Sequence, residues 1–278
     1  MNILQALFLG VLQGITEFLP VSSSGHLALA QHLFGLREPQ LFFDVAVHVA
    51  TLMAVLVVFR ADLLLMLTDC LRFFSRTPSA PPTPASTDSG SGVRMAVMIL
   101  VGSLPTAVVG LLFRDVFQRF FTSPAIVGLC LWITGFFLVW SRWSRQHRKH
   151  LDSPNILDAL MIGLAQGAAI SPGVSRSGVT IVTGLLLGLR PETAFRFSFL
   201  LSIPAILGAL ALEIFHLNGN YPEWHIVAVG FFSAFVVGWA ALGLLRSLVE
   251  RGKLFYFAPY CFALGTVALV TALFWRVP

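Results

Sequence analysis

Apolar residues run through this chain in long blocks, and the gaps between its charges define the elements. Residues 95–113, 120–141, 224–245 and 254–275 contain no Asp, Glu, Lys or Arg. Each block reaches the roughly 17–25 residues that a helix needs to cross a bilayer. Two further blocks tolerate charge at one end. Residues 40–59 carry Asp44 near their start, and 192–213 follow Pro191 at a first-turn position and open with Glu192 and Arg196 spaced as an i,i+4 pair. Six spanning helices are therefore predicted.

Two apolar stretches do not read as simple spans. Residues 1–36 are interrupted by Pro20 and the cluster Ser22, Ser23, Ser24, Gly25. Residues 155–189 are interrupted by Ser171, Pro172, Gly173 and then by Ser175, Arg176, Ser177, Gly178. Proline and clustered Ser/Gly end helices, so each stretch predicts two short helices around a polar break. Irregular backbone at membrane depth survives only where protein or water surrounds it, which favours re-entrant hairpins; a kinked spanning helix is the alternative.

The two interrupted stretches also match each other. Moving Gly10–Gly25 by 153 positions onto Gly163–Gly178 gives seven identities in sixteen ungapped positions, among them Gln13/Gln166, Ser22/Ser175, Ser24/Ser177 and Gly25/Gly178. Composition alone would give about one or two, so the chain reads as an internal repeat, 1–153 and 154–278, each a hairpin followed by three spans. A hairpin crosses zero times and three spans cross an odd number of times. The repeats are thus expected to be inverted.

Composition supports a lipid solvent. Only 11% of the 278 residues are charged while 56% are hydrophobic, with 25 Phe and 6 Trp, and the mean hydropathy is +0.83. A soluble domain carries about 25% charge, which excludes soluble enzymes, disordered proteins and disulfide scaffolds. Cys70, Cys130 and Cys261 are isolated and read as apolar fillers. The N-terminus lacks the basic region of a signal peptide. Residues 77–92, rich in Pro, Ser, Thr and Gly, are expected to form a flexible extramembrane loop.

Charge then orients the molecule. Segments 60–94, 142–153, 190–191 and 246–253 hold twelve Lys and Arg on one side, against Arg37, Arg114, Arg119 and Arg276 on the other. The positive-inside rule places the basic side in the cytoplasm and both termini outside. The pI of 9.6 reflects this bias. No nucleic-acid partner is expected, because a basic folded surface is absent.

Chemistry concentrates in the hairpin tips, which opposite orientations would bring together near the midplane. Ser/Gly breaks leading into helix N-termini suit anions. Arg176 in the second tip costs roughly 2.5–3.5 kcal/mol at membrane depth even on the mildest scale, so it needs a phosphate or a carboxylate. A purely structural pairing with Glu17 is the alternative. Glu17 lies i+4 from Gln13, and His26 follows the Ser cluster. Carboxylate, carboxamide, imidazole, hydroxyls and guanidinium in an otherwise apolar chain fit phosphoryl transfer. Arg176 and the helix termini would hold phosphate, Glu17 and Gln13 a divalent cation, and His26 or a Ser would attack or shuttle protons. His48 and Asp44, i,i+4 on the first span, could face the site or simply bond between helices. Gly10/Gly14 and Gly163/Gly167 read as close helix packing. Asp158, Glu213, His216 and His225 fall near span ends, where solvation explains them.

At these residues the chain closely resembles the bacterial undecaprenyl-diphosphate phosphatase family of bacitracin-resistance type (BacA/UppP). Gln13 and Glu17 match its Glu/Gln-xxx-Glu pattern. Pro20, Ser22, Ser23, Gly25 and His26 match the pattern that follows, and Pro172, Gly173, Ser175, Arg176, Ser177 and Thr180 match the second signature. The resemblance implies an all-α polytopic protein of the bacterial inner membrane. It would hydrolyse the diphosphate of a C55 polyprenyl lipid to monophosphate and inorganic phosphate, recycling the carrier for peptidoglycan synthesis and conferring bacitracin resistance. It implies Glu17, His26, Arg176 and Ser23 as catalytic residues, with Ser22, Ser24, Gly25, Ser175, Ser177, Gly178 and Thr180 around the phosphates. A Mg2+ or Ca2+ ion would sit at Glu17 and Gln13. Gln13 stands where many members carry Glu, which removes one negative charge from that metal site. The nucleophile (His26, a Ser or water) and the oligomeric state, a homodimer included, stay open. An inverted-repeat scaffold also suits transport, so a flippase for the lipid phosphate is the alternative function.

Overall fold

The computed structural model describes residues 1–36, 41–75, 91–121, 123–143, 151–214 and 223–274. Within them the chain forms α1 (Ile3–Phe18), α2 (Ser23–Leu33), α3 (Leu41–Val58), α4 (Arg60–Ser75), α5 (Ser91–Leu112) and α6 (Arg114–Phe121). It continues with α7 (Pro124–Trp140), α8 (Ile156–Ala168), α9 (Arg176–Leu186), α10 (Pro191–Ile214), α11 (Trp224–Glu250) and α12 (Ala258–Phe274). The protein is an all-α polytopic membrane protein. Four helical segments are long and apolar enough to span alone, namely Ser91–Leu112, Pro191–Leu212, Trp224–Glu250 and Leu254–Leu273. Two bent pairs, α3 with α4 and α6 with α7, bring the number to six if each counts once.

Both hairpins start on the same device. Asn2 caps α1 by accepting the Gln5 N–H (2.9 Å), and Gln5 Oε1 accepts the Asn2 N–H in return (2.8 Å). Asn155 and Asp158 repeat this capping box at the start of α8, at 2.9 Å in each direction. Such boxes satisfy donors that a helix start would otherwise leave orphaned.

The helices on either side of each break approach one another near their outer ends. The Phe34 ring, just beyond α2, packs edge-on to Phe8 of α1 with centroids 5.4 Å apart. In the second hairpin, Leu151 ahead of α8 donates to Gly188 O (3.1 Å) and accepts from Arg190 N–H (3.1 Å) beyond α9. The ends of each hairpin are therefore neighbours.

Small residues set the packing between the halves. Gly10 and Gly14 of α1 lie against Gly230, Ala234 and Gly238 of α11, so closely that a Cβ on either glycine would meet backbone. Gly163 of α8 lies in the same way against Gly102 of α5, and Gly128 of α7 against Gly265 of α12. Close approach of this kind holds membrane helices together where lipid supplies no hydrophobic drive. Each hairpin thus leans on the second span of the opposite half, α1 on α11 and α8 on α5, while the last spans pack on each other. The central core is aromatic: Phe18, Phe59, Phe195 and Phe199 form a contiguous group with centroids 4.9–6.0 Å apart.

Several boundaries differ from the charge-gap reading. Residues 60–75, assigned to a cytoplasmic rim, form α4, which turns 71° from α3. Its charges are confined to Arg60, Asp62, Asp69 and Arg72, and Asp69 caps the next helix by accepting the Gly92 N–H (3.1 Å). Residues 91 and 92 of the expected loop belong to α5, and 77–90 lie outside the described residues. The seventh helix begins at Pro124 and not at 120, because Ser123 caps it and Arg119 belongs to the polar helix α6. The eleventh continues past 245 to Glu250, with Arg246 and Glu250 paired one turn apart (2.8 Å). Leu254–Phe257 form a 3-10 turn before α12. Arg196 does not pair with Glu192: it reaches across to Asp62, tying α10 to α4.

Candidate active site

The two polar breaks meet. Ser22, with a left-handed φ of 70°, turns the chain between α1 and α2, and its Oγ accepts the Gly173 N–H of the other tip (3.1 Å). Gly173 itself has φ +95°, a conformation that glycine adopts without steric cost. Thr134 of α7 supports this second tip from behind: its hydroxyl donates to Gly173 O and accepts the Ser175 N–H, both at 2.9 Å. Ser175 Oγ caps α9 by accepting the Gly178 N–H (3.2 Å), which fixes the first-turn residue Arg176.

Arg176 and Glu17 are brought into direct contact. Nη2 of the guanidinium lies 2.5 Å from Glu17 Oε1, with the two side chains 16% and 8% exposed. Oε2 of the same carboxylate accepts from Ser23 Oγ (2.7 Å) and from Gln13 Nε2 (3.0 Å), and His48 Nε2 stands 3.9 Å away. The guanidinium lies 5.8 Å above the Phe199 ring, so the pair rests on the aromatic core. Full engagement of the carboxylate offsets the cost of removing its charge from water.

Two polar atoms of this cluster are buried and lack hydrogen-bond partners, Arg176 Nη1 and Gln13 Oε1. One is a cationic donor and the other a neutral acceptor. Buried polar groups are normally satisfied, so these two atoms are open to a ligand or water, as are Gln166 Oε1 and Arg196 Nε among the described residues. The implied divalent cation fits this donor set in part. Glu17 and Gln13 Oε1 offer a carboxylate and an amide oxygen, and Mg2+ is commonly held by one or two carboxylates with phosphate and water oxygens completing the shell. Among the described residues no group of three or more His, Cys, Asp and Glu forms a protein-only cage.

The remaining predicted residues divide into two groups. Ser23, Gln13 and Arg176 gather on Glu17, whereas Ser22, Ser24, Ser175, Ser177 and Thr180 use their hydroxyls within the tips. Ser24 Oγ lies 3.4 Å from Ser22 Oγ, Ser177 Oγ lies 3.3 Å from Ser175 Oγ, and Thr180 Oγ1 donates to Arg176 O (2.7 Å) beside Ser198 Oγ (2.5 Å). Gly25 and Gly178 complete the breaks, with Gly178 packed on Pro20. His26 makes no hydrogen bond to Glu17 or Arg176. Its Nδ1 is 2.7 Å from Ser22 O, and its Nε2 is 2.6 Å from the Tyr260 hydroxyl.

Tyr260, Thr134 and Ser198 were not found by sequence reasoning, and His48, noted beside Asp44, proves to face Glu17. The i,i+4 spacing was the available signal for His48, whose Nδ1 bonds Asp44 O (2.7 Å). Thr134 is the lone hydroxyl of the apolar helix α7, and Tyr260 shares the apolar helix α12 with Thr266 and Thr271. The three cysteines are free, and Cys261 is buried with its thiol on Pro20 O (3.5 Å).

Comparison with known proteins shows the family of the chain. The family model described as bacitracin resistance protein BacA matches residues 6–267. The chain belongs to the BacA family. A relative named undecaprenyl-diphosphatase from Desulfosudis oleivorans is 46% identical, the match covering 97% of this chain and 98% of that one. Proteins of the same name from Rubrobacter xylanophilus (44% identical, 98% of each chain) and Carboxydothermus hydrogenoformans (41%, 97% of each) agree. Both tips lie inside the matched region, so the BacA family resemblance covers every residue of the cluster.

Proposed function

We propose that this chain is an undecaprenyl-diphosphatase, releasing inorganic phosphate from a polyprenyl diphosphate, and that the Glu17–Arg176 cluster is where it does so. The observation that carries this reading is the unpartnered Arg176 Nη1 beside an ion pair buried among apolar helices. A guanidinium fork with a free donor suits a phosphate oxygen. The names borne by the relatives favour hydrolysis over lipid translocation.

The chemistry follows from the contacts. Arg176 neutralises phosphate charge with Nη1 while Nη2 keeps its hold on Glu17. Ser23 donates its proton to Glu17 Oε2, which favours Glu17 as the proton acceptor for Ser23 or for a water in its place. His26 has its Nε2 engaged by Tyr260, so it serves as a second proton carrier and Ser23 stands nearer the base. A divalent cation held by Glu17 and Gln13 Oε1 would polarise the phosphate oxygens. The polyprenyl tail is accommodated by the bilayer itself, since the helices around the tips expose apolar side chains.

The two halves, 1–153 and 154–278, act as inverted repeats in this reading, in the bacterial inner membrane with both termini outside. Purified protein should release phosphate from polyprenyl diphosphate in a divalent-dependent manner. Arg176→Ala, Glu17→Ala and His26→Ala should each lose most of that release while remaining folded; full turnover in all three rules out the site.

A further inference from the structure

We propose that Tyr260 is a positioning residue that fixes the tautomer and ring plane of His26. Three contacts carry this. The Ser22 carbonyl can only accept, so His26 Nδ1, 2.7 Å from it, carries the hydrogen. In the neutral imidazole Nε2 is then a bare lone pair, and the Tyr260 hydroxyl at 2.6 Å must donate to it. The two rings are 10° from parallel with centroids 5.8 Å apart and meet edge to edge through this bond, so the phenol lines up with the imidazole plane as well as its proton.

The arrangement is fixed from both sides. Ser22 is held in its left-handed turn with its Oγ accepting from Gly173, and its carbonyl is tied to that geometry. Cys261, the neighbour of Tyr260, is buried against Pro20 O, which registers the start of α12 to the first tip. His26 is 8% exposed whereas Tyr260 is 47% exposed, so the phenol lies between the buried imidazole and the outside of the bundle. Nε2 is thereby defined as the basic nitrogen and is covered by the phenol.

This inference rests on the reading of His26 as a member of the active site, and the test separates the two. Tyr260→Phe keeps the ring and deletes the donor. Phosphate release by this variant should show kcat reduced about tenfold with KM within about twofold, the size expected for losing one hydrogen bond that orders a reacting group. Tyr260→Gln, which restores a donor without the ring, should recover part of kcat. Diethyl pyrocarbonate, which modifies unprotonated imidazole, should label His26 about threefold or more faster in Tyr260→Phe than in the unaltered chain, read by peptide mass spectrometry with the exposed His225 as the internal standard. Unchanged kcat in Tyr260→Phe overturns the proposal, as does unchanged labelling of His26. If His26→Ala retains full turnover, the active-site reading of His26 fails and the positioning role falls with it, while faster labelling would still report the Tyr260 contact.

Discussion

Glu17 and Arg176 stand 159 positions apart in sequence, one in each half of the chain, and meet with Nη2 2.5 Å from Oε1. The contact joins two helix breaks that could not otherwise place charge inside an apolar bundle. Removing either partner leaves the other charge buried and alone. Glu17→Gln and Arg176→Met should each destabilise the fold by about 3–5 kcal/mol, and the double variant should lose less than the two singles together. Thermal unfolding in detergent checks this, and all three variants should lack phosphate release.

Close helix approach predicts a second contrast. A Cβ at Gly10 or Gly163 would press on the carbonyl of Gly230 or Gly102, whereas one at Gly243 meets nothing within 4 Å. Gly10→Ala and Gly163→Ala should cost about 1–3 kcal/mol each, and Gly243→Ala should be neutral or slightly stabilising. The same unfolding measurement ranks the three.

Gln13 supplies a neutral oxygen where a carboxylate would add charge. Gln13→Glu should lower the Mg2+ concentration that half-saturates phosphate release, by roughly fivefold, and Gln13→Leu should raise it. Metal titrations of initial rate decide between these directions.

Thr134 holds the second tip with one hydroxyl that serves both Gly173 O and Ser175 N–H. Thr134→Val keeps the shape and strands both groups. It should cost about 1–3 kcal/mol and reduce turnover, because the freed segment carries Arg176. Comparing melting temperature with kcat separates the two effects.

Orientation can be read from either face of a sealed vesicle. An impermeant thiol reagent should reach Lys253→Cys only from the cytoplasmic side and Glu223→Cys only from outside, following the asymmetry of Lys and Arg. The opposite pattern would invert the arrangement.

The sequence made the broad architecture legible because lipid imposes a simple rule: a run without charge long enough to cross becomes a helix. Prolines and Ser clusters announced both breaks. Glu17, Gln13, Ser23 and Arg176 were legible for a related reason, since an ion or amide among apolar neighbours demands a partner. Helices such as α4 and α6 escaped that rule. Their charges resemble those of a loop, and only tertiary contacts such as Asp62 with Arg196 show them as ordered. Tyr260 and Thr134 escaped for the opposite reason: a hydroxyl on an apolar helix is too common to signal anything until the fold places it against His26 or Gly173.

The exchange of partners between the halves has a bearing on biosynthesis. The first hairpin is made at the start of translation, yet α11, the helix it leans on, emerges about two hundred residues later. At about 5–20 residues per second that interval is roughly ten seconds or more. For most of it Glu17 and its neighbours wait at the membrane without Arg176, which follows Glu17 by 159 positions and itself precedes α11. A nascent chain that stalls before α11 therefore carries a first hairpin whose glycine face has no seat.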